Sequence, residues 1–146
     1  MERAAVPEVI AVARNSGLRL LREDGWLKVR EGITTPDEVV MCTEAGAAVC
    51  GSMSNLFVCL SGEWLTPPVT QCGVAGVMRA LVMAFAPRAG LSVRVATVTE
   101  AQLTTSTSMF VTNVRLGMQP VHWYEGRSLV LDERGARVQE LIDGTP

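Results

Sequence analysis

The spacing of hydrophobic positions changes near residue 36. Before this point, apolar residues recur at helical spacing and predict two charged helices, over about residues 7–14 and 18–30. After it, short apolar runs alternate with turn residues, which is typical of strands. We therefore predict a helical N-terminal segment, residues 1–36, and a second domain, residues 37–146.

In the second domain the apolar runs predict a sheet with helices packed on it. The runs 56–60 and 63–65 flank Ser61-Gly62, which is the signature of a tight hairpin. The predicted fold class is α/β (α+β), with a mixed, mostly antiparallel sheet and packed helices in addition to the N-terminal helices. Further strands are expected at 39–42, 92–98, 109–112, 121–124 and 128–131, helices at 77–86, 100–103 and 133–142, and a loop at 113–119.

Composition narrows the classes of function. The 146 residues are 48% hydrophobic and 19% charged, which is typical of a folded domain with one core. The net charge of −2 argues against nucleic-acid binding, because neutralising phosphates requires clustered basic residues. The longest apolar run, 77–86, is interrupted by Arg79, and the N-terminus has no signal-like pattern. We expect a cytoplasmic protein that binds neither nucleic acid nor membrane.

The residues also argue against several kinds of catalytic or metal site. The four cysteines have no C-x-x-C spacing, so we expect no metal site and predict reduced thiols that act as small core residues. The single histidine, His122, falls in a predicted strand and is interpreted as structural. There is no phosphate-binding G-x-x-x-x-G-K motif, no G-x-S-x-G motif and no convergent pair of carboxylates. No catalytic residue is therefore assigned.

One loop has the features of an anion site. Residues 73–76, Gly-Val-Ala-Gly, stand directly before a predicted apolar helix. Glycines allow a tight turn and a close backbone approach, and the N–H groups at a helix N-terminus suit a phosphate. Thr112 and Asn113 end a predicted strand and could donate to the same anion, and Asn55 precedes another strand. Taken singly, each of these features is better explained by an ordinary turn.

The order of several short blocks along the chain is more specific than any one of them. Together these blocks resemble class IV aminotransferase-like enzymes, and within them the C-terminal half of the aminodeoxychorismate lyases best. The resemblance covers about residues 37–131. Its blocks are Asp37-Glu38-Val39-Val40-Met41, Ser54-Asn55-Leu56-Phe57, Leu65-Thr66-Pro67-Pro68, Gly73 through Arg79, Phe110-Val111-Thr112-Asn113 and Gly117-Met118-Gln119-Pro120-Val121.

The resemblance implies a cofactor and a set of site residues. In that family the Gly-Val-x-Gly loop and the Thr-Asn strand end hold the phosphate of pyridoxal phosphate, and the enzymes are usually homodimers with the cofactor near the subunit interface. The lyases release pyruvate from aminodeoxychorismate to give 4-aminobenzoate, a folate precursor. The residues that inherit cofactor-binding roles here are Asn55, near the ring, Val74, Ala75, Gly76 and Val77, through backbone groups, and Thr112 and Asn113.

The chain departs from the family pattern at three places. The family's Schiff-base lysine is expected near Gly17, where none occurs, and Lys28 is the only lysine in the chain. The glutamate expected to pair with the pyridine nitrogen is replaced by Cys50. An acidic patch expected before Phe110 is replaced by residues 104–108, Thr-Thr-Ser-Thr-Ser. Without the lysine, the cofactor would lose its covalent tether and its proton carrier, so non-covalent binding is predicted.

The N-terminal part resembles something else. Residues 17–39, within a stretch of about 6–40, are similar to the C-terminal tail of type II secretion and pilus-assembly ATPases, a helical element without nucleotide chemistry. The chain thus has the character of a chimera, and its N-terminal helices would cover apolar sheet surface.

Two functions follow from the sequence. The first is a truncated lyase that retains a pyridoxal-phosphate phosphate cup but is catalytically incomplete. The alternative is a small protein-binding module, an inhibitor, antitoxin or subunit partner, that acts as a homodimer or with another protein. Its contact surface would then include Met41, Met53, Met78, Met83 and Met118, which a methionine-rich core also explains.

Overall fold

A computed structural model describes residues 38–70 and 72–144, together with Val12 and Asn15. The chain divides into two compact units, Met1–Val39 and Val40–Pro146, and nearly all of the described residues belong to the second. The helices predicted over 7–14 and 18–30, and the cover they would give the sheet, lie outside the described residues. The predicted boundary between residues 36 and 37 stays a prediction.

The second unit contains ten short strands and three α-helices in its described residues. The helices are α1 (Val77–Phe85), α2 (Glu100–Thr105) and α3 (Glu133–Asp143), and a 3-10 turn over Ala86–Ala89 follows α1. The strands are β1 (Val40–Cys42), β2 (Ala47–Gly51), β3 (Asn55–Leu60), β4 (Glu63–Thr66), β5 (Val93–Val95), β6 (Val98–Thr99), β7 (Ser108–Asn113), β8 (Gly117–Pro120), β9 (Trp123–Tyr124) and β10 (Arg127–Ser128).

The strands form three sheets, of which the largest has five strands in the order β5-β4-β3-β7-β8. Only the β4–β5 pair in it is parallel; the other neighbours are antiparallel. A three-stranded sheet has the order β1-β2-β6, and β9 pairs with β10. The prediction of an α+β domain with a mixed, mostly antiparallel sheet is confirmed.

Both faces of the five-stranded sheet are buried. Side chains alternate between the faces of a strand, so Phe57 and Phe110 lie on one face, and Val58 and Met109 on the other. The first face packs against α1, the 3-10 turn and α3, and its two phenylalanine rings stack with centroids 4.6 Å apart. The second packs against Leu103 of α2 and neighbouring residues. Full burial of such side chains stabilises the fold by about 1.5–3 kcal/mol each.

Several predicted elements are confirmed, and the hairpin turn shows why. Ser61 and Gly62 both have positive φ, 51° and 84°, between β3 and β4. A two-residue turn of this kind matches the right-handed twist of its strands, so the sequence signal for it is local. The helix predicted at 77–86 and the terminal helix at 133–142 are likewise present as α1 and α3.

Other predicted elements were wrong because long-range pairing decides them. The single strand at 92–98 is two strands, β5 beside β4 and β6 beside β2, since the chain crosses from one sheet to another. The loop at 113–119 contains β8, which pairs with β7. Strand β2 was not predicted. Its residues, Ala-Ala-Val-Cys-Gly, carry little strand signal of their own.

The cysteines and the histidine also depart from their predicted places. Cys59 is buried in the core as expected, whereas Cys42 and Cys72 are exposed and Cys50 is half-buried. His122 is exposed and lies between β8 and β9, outside either strand. The interpretation of the thiols as core residues therefore holds for Cys59.

Helix α3 is attached to the sheet by one carboxylate. Asp132 caps the helix by accepting from the Gly135 N–H at 2.7 Å, and it also accepts from Trp64 Nε1 at 3.1 Å and from Arg134. Partial burial by itself raises the pKa of Asp132, but these three hydrogen bonds outweigh it and hold the pKa below its usual value. The charged carboxylate is thus favoured by folding.

Replacing Asp132 with asparagine tests this attachment. We expect Asp132→Asn to lower the free energy of unfolding at pH 7 by about 1 kcal/mol, because the charge-assisted bonds are lost while a cap oxygen remains. The charged carboxylate stabilises the fold at pH values above the pKa that it has in the unfolded chain, about 4. This stabilisation is lost as the pH falls through the lower pKa of the folded state. In urea titrations the two proteins should therefore differ at pH 7 and converge below about pH 4. A difference independent of pH would show that the charge is not involved.

Candidate phosphate-binding site

Helix α1 begins without a side-chain cap. Gly76 is its N-cap residue, and no side chain in the described part of the chain caps the first turn. The first intrahelical bond near this end runs from the Ala80 N–H to the Gly76 oxygen, so the N–H groups of Val77, Met78 and Arg79 have no partner within the helix. The first turn carries no acidic residue. These N–H groups and the helix dipole make this end attractive to an anion.

The loop before α1 is held by the side chain of Asn55, at the start of β3. Asn55 Nδ2 donates to the Val74 oxygen at 2.7 Å, and the Gly76 N–H donates to Asn55 Oδ1 at 3.2 Å. The approach is so close that a Cβ atom added to Gly76 would lie 2.3 Å from Asn55 Oδ1. Glycine is therefore required at position 76 by contact, since its φ is an ordinary −65°.

Thr112 lies directly opposite Asn55 in the β3–β7 pair. It is two residues from Phe110 and so faces the same side of the sheet, the side covered by α1. Its side chain is 1% exposed, and among the described residues Thr112 Oγ1 has no hydrogen-bond partner. A buried hydroxyl without a partner costs about 1–3 kcal/mol, so a ligand at this position would remove a real penalty.

Arg79 joins the start of α1 to the end of β4. Its Nε donates to Thr66 Oγ1 and its Nη2 to the Pro67 oxygen, both at 3.2 Å, and the Thr66 hydroxyl in turn donates to the Leu56 oxygen. Burial lowers the pKa of the Arg79 guanidinium from its usual value. Arg79 and Thr66 both belong to the blocks that carry the family resemblance, yet their mutual bond was not predicted, because no sequence spacing encodes it.

The structure brings together most of the residues predicted for the site. Asn55 is bonded to Val74 and to Gly76, Val77 is the first residue of α1, and Thr112 pairs with Asn55 across the sheet. Ala75 is exposed in the same loop.

Asn113 behaves differently from the others. Its Oδ1 accepts from the N–H groups of Arg115 and Leu116, which closes the β7–β8 turn. Its predicted part in binding the cofactor stays a prediction.

Other features of the unit offer less chemistry. Cys50 occupies β2, opposite Met41, and thus places a thiol where the resemblance expects a glutamate.

Within residues 38–70 and 72–144 no group of three potential metal ligands is found. The helices in this part of the chain are too short or too polar to cross a membrane. A depression next to Gly73 lacks charged side chains and is lined by Thr43, Ala47, Ala48, Val49, Pro68, Thr70, Cys72 and Thr97.

Comparison with known protein families identifies the family of this chain. The model of amino-transferase class IV matches residues 16–124, about three-quarters of the chain. This chain belongs to the class IV aminotransferase family. The match begins inside the segment 6–40 that resembles the secretion-ATPase tail, and that second resemblance stays a prediction.

Three similar proteins give the extent of the likeness. A branched-chain-amino-acid aminotransferase from Pseudomonas aeruginosa is 26% identical over 119 residues, covering 81% of this chain and 38% of the relative. The structure of 4-amino-4-deoxychorismate lyase from the same species is 29% identical, with a TM-score of 0.70. The match covers 83% of this chain and 45% of the lyase chain. An aminotransferase from Brucella abortus, bound to the cofactor PLP, shares the fold at 22% identity, with a TM-score of 0.67. The match covers 72% of this chain and 38% of the aminotransferase chain. The chain spans less than half the length of each.

The described residues of this class IV chain fit one end of the family's cofactor. The Thr112 hydroxyl, unpartnered within that part of the chain, and the uncapped N–H groups of α1 suit its phosphate. The other end is not matched: Cys50 offers a thiol in place of a carboxylate, and Lys28, the only lysine, lies outside the described residues. The described part supplies no lysine amine to bond with the cofactor ring.

Proposed function

We propose that this class IV chain binds pyridoxal phosphate non-covalently through its phosphate, at the start of α1. The observation that carries the proposal is the buried hydroxyl of Thr112, without a partner among the described residues, on the strand position opposite Asn55, whose amide is bonded to the N-cap of the uncapped helix α1. In the proposed site the N–H groups of Val77 and Met78 donate to the phosphate, and Thr112 donates from the sheet. When bound, the cofactor would supply an electron-withdrawing ring to an attached amine.

We further propose that the chain is a member of the aminodeoxychorismate lyase branch and that its residues lack the lysine that catalysis needs. The ordered blocks of residues 37–131 and the 29% identity to the Pseudomonas aeruginosa lyase support this branch. The branched-chain aminotransferase of that species is 26% identical, so the two sequence identities differ little. The absence of a lysine near Gly17 supports incompleteness, because a proton carrier at the reacting carbon would be missing.

Titration with pyridoxal phosphate tests the non-covalent mode. We expect saturable quenching of tryptophan fluorescence with no visible absorbance band of a lysine-attached cofactor. Lys28→Ala should leave the affinity unchanged, since Lys28 is not assigned to the site. A band that is present in the original chain and lost in Lys28→Ala would instead identify a relocated Schiff-base lysine and a working enzyme.

Replacing Thr112 with valine separates binding from stability. We expect Thr112→Val to weaken binding of pyridoxal phosphate about tenfold to a hundredfold, because a hydrogen bond to a charged group contributes about 1.5–3 kcal/mol. The same change should raise the free energy of unfolding of the ligand-free protein by about 1 kcal/mol, because an unsatisfied buried hydroxyl is removed.

Ser108 provides the matched control for that experiment. It is also buried, its hydroxyl has no partner among the described residues, and it lies on the same sheet face four residues along β7 from Thr112. Ser108→Ala should stabilise the protein to a similar extent and leave binding unchanged. If both variants bind like the original chain, Thr112 is no part of a phosphate site and the proposed function is wrong.

A second proposal concerns the surface around the site. Five exposed apolar side chains surround the start of α1 and the adjacent strand ends: Met53, 71% exposed, Val74, 75%, Val77, 66%, Val114, 81%, and Leu116, 55%. We call these residues the apolar rim. Exposed apolar patches of this kind often mark interfaces. We propose that a second copy of this chain covers the rim, forming a homodimer.

The rim differs from the contact surface expected from methionines. Met118 and Met78 are buried at 1% and 9% exposure, so that expectation was wrong for them, and the methionine-rich core explains both. Met53 alone of the five is strongly exposed and belongs to the rim.

Sedimentation equilibrium tests the rim as a dimer surface. The double change Val114→Ser and Leu116→Ser should shift the chain toward monomer by roughly tenfold or more in the dissociation constant, because apolar area at the interface is lost. Val130→Ser is the control, since Val130 is as exposed, at 76%, but lies outside the rim. A monomeric original chain, or equal effects of both changes, would contradict the dimer.

A further inference from the structure

We propose that Asn55 is a positioning residue of the phosphate site and does not itself contact the ligand. This inference rests on the proposed function and revises the expectation that Asn55 lies beside the cofactor ring. In this view its amide aligns the two groups that hold the phosphate, one from the sheet and one from the helix.

Both polar atoms of the Asn55 amide are already bonded to the loop before α1. Its Nδ2 donates to the Val74 oxygen, and its Oδ1 accepts from the Gly76 N–H. The residue is only 6% exposed. Turning the amide toward a ligand would break both bonds and release the loop.

The position of Asn55 in the sheet links its amide to both Thr112 and the start of α1. Its backbone pairs with Thr112, so the side chain that holds the loop begins directly beside the Thr112 hydroxyl. Gly76, the other end of this contact, is the N-cap of α1. The side chain therefore sets the distance between the helix N-terminus and Thr112, the two sources of phosphate donors.

The contact also explains why asparagine is required at position 55. It needs a donor toward Val74 and an acceptor toward Gly76, and a short amide offers both. Aspartate would keep the acceptor, lose the donor and add negative charge beside an anion. At Gly76 any Cβ atom would meet Oδ1 at 2.3 Å, so positions 55 and 76 are adjusted to each other.

A double-mutant cycle tests the assignment. Affinities for pyridoxal phosphate and for inorganic phosphate are measured for the original chain, Asn55→Ser, Gly76→Ala and the double variant, with thermal melts to verify folding. If Asn55 acts through Gly76, each single change weakens binding of both probes about tenfold, and the double variant is no weaker than the weaker single variant. Multiplied losses in the double variant would show that Asn55 contacts the ligand, which overturns the proposal.

Hydrogen exchange without ligand gives a second, independent outcome. The amide protons of Gly76, Val77 and Met78 should exchange faster in Asn55→Ser than in the original chain, because the loop is no longer held. Unchanged exchange together with weakened binding would also overturn the proposal. Failure of the original chain to bind either probe would contradict the proposed function instead, and the exchange rates would still decide whether Asn55 orders the loop.

Discussion

The antiparallel pairing of β3 with β7 is the constraint on which the rest of this unit depends. Its register places Phe57 against Phe110 and, two residues away, Asn55 against Thr112. The side chains of α1 and α3 pack on the aromatic pair, and Asn55 of the polar pair is bonded to Gly76 at the start of α1. A slip of one residue would turn both pairs to the other face of the sheet. The core and the candidate site therefore share one register, and stability and binding are linked through it.

Much of the fold was predictable because neighbouring residues in the sequence determine many of its elements. The hairpin at Ser61-Gly62 and the apolar helix after Gly76 depend on residues that are neighbours in the chain. The crossing between β5 and β6, and the existence of β2 and β8, depend on partners far away in sequence, and no local pattern encodes them. Most site residues could be named from the order of the blocks, but the bonds between them could not. That Asn55 holds a loop, and that Asn113 closes a turn, became visible only in three dimensions.

The proposed phosphate site and the residues expected for catalysis depend on different parts of the chain. Phosphate binding needs a helix N-terminus and a few placed donors, and these belong to the sheet and helix that also form the core. Catalysis needs a lysine and a carboxylate at separate positions, and Cys50, where the carboxylate is expected, belongs to neither core cluster. This division is consistent with a domain that has the family fold while Cys50 stands where a glutamate is expected and no lysine lies near Gly17.

The most direct test of phosphate binding at α1 is a two-dimensional amide NMR spectrum recorded during titration with pyridoxal phosphate. We predict saturable shifts that are largest for the amide groups of Val77, Met78 and Thr112, because the phosphate would lie against the start of α1. Shifts centred on the depression near Ala47 and Cys72, or a folded protein whose amides do not shift, would contradict a phosphate site at this helix.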